Sequence, residues 1–269
     1  MSTTEGRYMK VTARNISAES SNKIHDDEVA RKLGFEGALV PGAEIHAYMS
    51  RIPVAKWGRA WLQSGSIEAR FVKPVYAGQL LSIHHESTDK HTDSIGVFRD
   101  EVCCATGRAW MGKEAVHTHS PLRPHAMPNQ PLPPANEKSL AKGVELHLIN
   151  FRISADEAVT YLETIEETSN VYRDAKLVHP GLLVRMCNRV VYENVELGPW
   201  AHTASKITNF SLPFADEEYT VGARVIENFE KRGNSYVNLD MLIHAGERPI
   251  ARVSYEAIYR LRKPTEPQP

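Results

Sequence analysis

The 269-residue chain is 42% apolar, enough to form a core for one large domain or two of ordinary size. Its 32 basic and 33 acidic residues leave a net charge of -1, and no run of Lys and Arg builds the positive face that nucleic acid requires. No apolar run approaches the roughly 20 residues of a membrane span, and the start MSTTEGRYMK lacks a hydrophobic signal region, so a soluble cytoplasmic protein without a membrane partner is expected.

In chain order, the first segment with chemical content is SSNKIHDDEVARKLGFEGALVPG, residues 20–42. It joins a histidine, four acids, a short helical pattern and a Val-Pro-Gly. After Pro41-Gly42, AEIHAYMSRIPVAKWG places Ile45, Tyr48 and Met49 at helical intervals. The strand-like runs SIEARFV, LLSIHHEST and SIGVFRDEVCCATGRAWM follow. Cys103 and Cys104 fall in the last of these; with Cys187 they make an odd number with one adjacent pair, which suits a reducing compartment better than a disulfide framework. Residues 113–140 are crowded with Pro and polar residues and show neither period, so they read as a linker between a half at 1–112 and a half at 141–269. His117, His119 and His125 lie in this segment, where nothing holds them in tetrahedral geometry, and no metal site is expected. Beyond it, LLVRMCNRVVYENV repeats the helical spacing, and SKITNFSL, YTVGARVIENF, SYVNLDMLIHAG and PIARVSYEAIYRL read as strands.

The two halves resemble each other at an offset of 139. Pro41-Gly42 answers Pro180-Gly181, Trp61 answers Trp200, Ser66 answers Ser205, Phe71 answers Phe210 and Pro74 answers Pro213. Upstream, ESSN at 19–22 answers ETSN at 167–170 with a shorter connection afterwards. The chain reads as a duplication. One central helix and a meander of strands per half predict a sheet wrapped around a helix, with each copy covering the other.

Asn22, Ile24, His25, Asp27, Ala30, Gly34, Phe35, Leu39, Val40 and Gly42 stand in the order of a hydratase motif. In these residues the chain resembles the MaoC-like acyl dehydratases of the hotdog superfamily, which include the R-specific enoyl-CoA hydratases. The resemblance implies an α+β double hotdog, with two antiparallel sheets each wrapped around a central helix and packed as an intrachain pseudo-dimer. It also implies hydro-lyase activity on an acyl-CoA or acyl-carrier thioester, no cofactor, and a homodimer of double hotdogs. Three departures from the motif stand out: Ser20 occupies the position of the family's catalytic Asp, Lys23 replaces its Pro, and Pro41 replaces the His before Gly42.

Hydration of an enoyl thioester needs a base for the water, an acid for the alpha carbon and donors for the enolate oxygen. His25 has a suitable pKa, and Gly42 and Ala43 at the start of a buried helix offer backbone N–H groups. The carboxylate is left open among Glu19, Asp26 and Asp27, with Glu19 and Asp27 carried as catalytic candidates beside His25. Ser20, Asn22, Pro41, Gly42, Ala43 and His46 are the expected substrate-binding residues. Simpler readings exist for several of them. Asp26 and Glu28 suit the first turn of a helix, and the recurrence of Glu19 as Glu167 suggests a turn device needed by both copies. Trp61 and Trp200 read as packing residues. Two other functions remain open, a hotdog thioesterase and a non-catalytic acyl-thioester binding protein.

Overall fold

Apolar residues at helical spacing after each Pro-Gly pair produce the two long helices, and the alternating runs around them produce the sheet. The computed structural model describes residues 8–112 and 131–262. The first half contains β1 (Tyr8–Thr12), a 3-10 turn (Lys23–His25), α1 (Asp27–Lys32), α2 (Gly42–Ser64), β2 (Gly65–Phe71), β3 (Leu80–Asp89), β4 (Thr92–Arg99) and β5 (Val102–Met111). The second contains β6 (Glu145–Arg152), α3 (Ala155–Thr164), α4 (Asn170–Asp174), α5 (Pro180–Tyr192), β7 (Ala201–Asn209), β8 (Glu218–Lys231), β9 (Asn234–Ala245) and β10 (Arg248–Arg260). His117, His119 and His125 lie outside the described residues.

All ten strands form one antiparallel sheet in the order β1-β3-β4-β5-β2-β7-β10-β9-β8-β6. Each half contributes five strands in the same relative order, and the halves join edge to edge at β2 and β7. The seam obeys the offset found in the sequence. Ser66 pairs with Thr208; adding 139 to the first and subtracting it from the second gives Ser205 and Ala69, which also pair. Joining the half-sheets here removes two open edges, and Ile67 meets Ile207 beneath the seam, both fully buried.

The sheet curls around α2 and α5, which pack against each other. Ile45, Tyr48, Met49 and Ile52 of α2 and Leu183, Val184, Cys187 and Val190 of α5 belong to one continuous core that runs through both halves. Each such side chain contributes about 1.5–3 kcal/mol by leaving water, and neither helix has another surface on which to bury it. One ion pair ties the two helices to each other, Glu44 to Arg185 at 2.9 Å, and another ties α2 to the segment after α3, Arg51 to Glu167 at 3.6 Å. Among the described residues, no helix is long and apolar enough to cross a membrane.

Four elements were not apparent in the sequence pattern: β1, β6, α3 and the five-residue α4. β1 and β6 are the two edge strands; β1 is short and buries only Val11 fully, so alternation hardly shows. α3 begins with a capping box in which Ser154 and Glu157 satisfy each other's backbone donors, a local signal that stands in the sequence as Ser-x-x-Glu. The single run at 94–111 is two strands, turned at Asp100 with φ 51°.

Candidate active site

The segment before α2 is a loop tied at both ends. Asn22 caps the 3-10 turn by accepting from the Ile24 N–H, and the Leu39 N–H donates back to the Ile24 carbonyl at 3.2 Å. The Asn22 side chain also reaches the other half of the molecule. Its Nδ2 donates to the Trp200 carbonyl at 3.0 Å, and its Oδ1 accepts from the Trp200 N–H at 3.2 Å. One buried amide thus stitches the motif loop to the start of β7.

His25 is half-buried behind this amide. Its Nδ1 lies 2.7 Å from the Leu39 carbonyl, an acceptor, so the ring proton sits on Nδ1 and donates there. Nε2 is left with its lone pair free of hydrogen and has only the Asn22 Nδ2 at 3.4 Å. Burial lowers the His25 pKa below its ordinary value, the Leu39 bond opposes this, and the Arg185 charge lowers it further. At neutral pH the imidazole is therefore uncharged and has a base position facing inward.

The acids of the motif are engaged elsewhere. Asp26 caps α1 by accepting from the Val29 N–H at 3.0 Å. Asp27 accepts from the Ala38 N–H at 2.7 Å and so clasps the loop at 36–38 onto α1. Glu28 pairs with Lys32 on the surface at 2.6 Å. Glu19 is exposed, and the Ser20 hydroxyl donates to the Asn22 carbonyl at 3.4 Å. His25 and Gly42 are brought together; Glu19 and Asp27 are not brought to them.

Pro41 ends the loop as the N-cap of α2 and supplies no side-chain cap. Gly42 and Ala43 are the first residues of the helix, where N–H groups have no acceptor within it. Gly42 is required by space. A Cβ there would lie 2.7 Å from Phe71 Cε2 and 3.0 Å from His202 Nδ1. His46, one turn along α2, is fully buried on the seam side with its Nδ1 3.1 Å from the Ser205 hydroxyl. It does not line the space in front of His25.

That space is a cavity of about 40 Å³ with walls from both halves. Asn22, His25, Leu39 and Gly42 come from the first half, and Asn188 of α5 with Trp200 and His202 come from the second. Among the described residues, no carboxylate is in its lining. A groove of about 360 Å³ adjoins it, lined by Ser21, Leu132, Tyr192 and Leu197, and shares Asn22 and Trp200 as its boundary. A larger groove, about 670 Å³, lies along the sheet across the seam and shares no lining residue with the cavity at His25. Several of its charges pair with one another, as Arg70 with Glu256 at 3.2 Å and Arg252 with Asp240 at 2.6 Å, while the Asn238 Oδ1 in its lining is buried without a hydrogen-bond partner.

His202 is the wall residue that sequence reasoning missed. Its Nε2–H donates to the Ala204 carbonyl at 3.1 Å, and its ring stacks on Tyr255 with centroids 4.3 Å apart and meets the edge of Phe71 at 5.0 Å. The remaining nitrogen, Nδ1, is buried with no hydrogen-bond partner. Burial, and then the nearby His46, pushes the His202 pKa down to about 3. The repeat held a signal: subtracting 139 from 202 gives Gln63, so this histidine has no histidine counterpart in the first half.

The pseudo-equivalent place in the second half is closed. His179, the N-cap of α5, turns its Nδ1 to accept from the Gly181 N–H at 3.0 Å. The donor that stays open at Gly42 is consumed at Gly181, and Glu167 and Arg51 pack beside the His179 ring. Among the described residues, no group of three or more His, Cys, Asp and Glu side chains is placed to hold a metal ion.

The architecture has solved counterparts. A conserved protein of Mycobacterium tuberculosis described as a double hotdog superposes with a TM-score of 0.65 at 12% identity, over 94% of this chain and 96% of its own. The chain has the double hotdog fold. A Chloroflexus aurantiacus protein described as a MaoC domain dehydratase gives 0.62 at 13% identity, over 95% of each chain. A protein of Thermobifida fusca described as a thioesterase II gives 0.51 at 13%, over 83% of this double hotdog and 88% of its own chain. Neither a family sequence model nor a curated protein sequence matches, so the likeness is one of structure.

Proposed function

We propose that this double hotdog adds water to an enoyl thioester, or removes it from the 3-hydroxyacyl thioester. The observation that carries the reading is the meeting, in one small cavity, of a neutral imidazole, whose Nε2 is unprotonated and accepts only a long bond from the Asn22 amide at 3.4 Å, and the open start of α2. In the hydration direction a water oxygen bonds to the beta carbon while one of its protons passes to His25 Nε2. The charge that develops on the thioester oxygen is held by the N–H groups of Gly42 and Ala43 and by the positive end of the helix. The imidazolium then returns its proton to the alpha carbon, and His25 is restored. The apolar side chains of Trp200 and Leu39 in the lining lower the local polarity and strengthen these interactions. Asn22 holds the base in position, and the adjoining groove is of a size to take the extended part of an acyl thioester. Whether the carrier is CoA or a carrier protein, the reading needs no cofactor, and it includes assembly as a homodimer of double hotdogs, checked by mass in solution.

The test follows hydration and free-thiol release separately on trans-2-enoyl-CoA and saturated acyl-CoA substrates. Wild type is expected to hydrate the enoyl substrates, and His25→Ala to lower turnover by roughly 100-fold or more with the fold intact, as loss of general acid–base catalysis would. Thiol release without hydration would assign a thioesterase. Affinity without turnover would assign a binding protein, and hydration unaffected by His25→Ala would overturn the mechanism.

A further inference from the structure

A water molecule poised for addition carries two hydrogens and must present a lone pair to the carbon it attacks. His25 can accept one of the hydrogens. If nothing accepts the other, the water rotates freely and its lone pair is not aimed. The carboxylates of the motif are absent from the cavity lining, so the second acceptor has to come from another part of the chain.

The wall opposite offers one. His202 donates through Nε2 to the Ala204 carbonyl, which leaves Nδ1 as a pure acceptor, and that atom is buried without a partner. It faces the start of α2: the place of a Cβ on Gly42 is 3.0 Å from it. The ring has no freedom to turn away, since Tyr255 lies parallel to it at 14° and Phe71 abuts it at 74°. Asn188 completes this side; its Oδ1 accepts from the Tyr255 hydroxyl at 2.8 Å, and it also lines the cavity. A fixed, partnerless acceptor on a residue that borders a space of about 40 Å³, large enough for water, calls for a hydrogen-bond donor from a bound molecule.

We propose that His202 is a catalytic residue of the hydration reaction, accepting the second hydrogen of the attacking water at Nδ1 while His25 takes the first. The inference rests on the hydration reading given above. The O–H bond to His25 breaks and its proton moves to Nε2; the O–H bond to His202 is kept and becomes the hydroxyl of the product. His202 gains no proton at any stage. The groups around it agree with this division. The N-terminal end of α2 disfavours a second positive charge beside it, and Phe71, Tyr255 and the Ala204 carbonyl supply no carboxylate to support one. A neutral imidazole from the second half thus takes the place that Ser20 leaves empty in the motif.

The experiment measures kcat and KM for trans-2-enoyl-CoA hydration across pH in wild type, His202→Phe and His202→Gln. The phenyl ring keeps the stack on Tyr255 and deletes the acceptor; the Gln side chain restores an acceptor oxygen. His202→Phe is expected to lower kcat roughly 10- to 100-fold, the scale of a misplaced reactant, with KM changed less than about threefold. His202→Gln is expected to recover most of that loss. The acid limb of the pH profile, which belongs to His25, should stay where it is in both variants. If His202→Phe does not fold, His202→Asn, which retracts the polar group, is read in the same way. Unchanged kcat in a folded variant would reduce His202 to a packing residue at the helix start. Disappearance of the acid limb in His202→Phe would make it the base and overturn the assignment. Absence of hydration by wild type itself would instead refute the reading on which the inference rests.

Discussion

His46 provides a test of the buried polar layer beneath the seam. It is fully buried between α2 and β7, one nitrogen meets the Ser205 hydroxyl at 3.1 Å, and the other has no partner. Burial, assisted by His179, lowers its pKa from the ordinary 6.5 to about 3. The folded state therefore resists the proton that the unfolded chain accepts. The stabilisation is complete above pH 6.5 and is lost as the pH falls from there toward 3. At pH 5 the chain is about 1.5 units below the unfolded value, which at about 1.36 kcal/mol per unit is a loss of about 2 kcal/mol. His46→Gln keeps a hydrogen-bonding partner for Ser205 and cannot titrate. Urea unfolding at pH 7.5 and pH 5 should show the wild-type midpoint falling with unchanged slope, and the fall in His46→Gln should be smaller by about 2 kcal/mol. An equal fall in both proteins would refute the argument and relocate the acid sensitivity to other groups.

Asp27→Ala removes the clasp on the Ala38 N–H and should cost about 1 kcal/mol in unfolding free energy while changing turnover less than tenfold; a loss of 100-fold or more in a folded variant would restore it as a catalytic acid. Asn22→Ala breaks both bonds to the Trp200 backbone and should cost about 1–3 kcal/mol in denaturant titration. It should also lower kcat, because the same amide sits behind His25 Nε2; stability lost with kcat unchanged would separate the stitch from the base.

Much of the fold was legible because duplication writes each element twice. Pro41-Gly42 and Pro180-Gly181 mark both central helices, and the same offset of 139 governs the pairing of β2 with β7. β1 escaped notice because it buries only Val11 fully, and β6, which buries Leu146, Ile149 and Phe151, because a register irregularity between Leu146 and Ile149 interrupts its alternation. At the site, His25 and Gly42 stood out through motif order. Asp27 did not show its occupation, since a carboxylate one position after a helix cap looks the same whether it faces a substrate or a neighbouring loop. Trp200 lies 178 residues from Asn22 and faces it only after β7 has joined β2, so His202, two residues further on, becomes part of the site through topology and not through local pattern.

Because the cavity walls are divided between the halves, occupancy and cohesion are two readings of one equilibrium. A molecule that touches Gly42 and His202 together binds only where the seam is closed. At 100 times its dissociation constant it would add about 2.7 kcal/mol to the joined state. If the chain were produced as two separate polypeptides divided within residues 113–130, ligand would act as their adhesive. Reassembly of the pair could then rank candidate thioesters by affinity, with no turnover required.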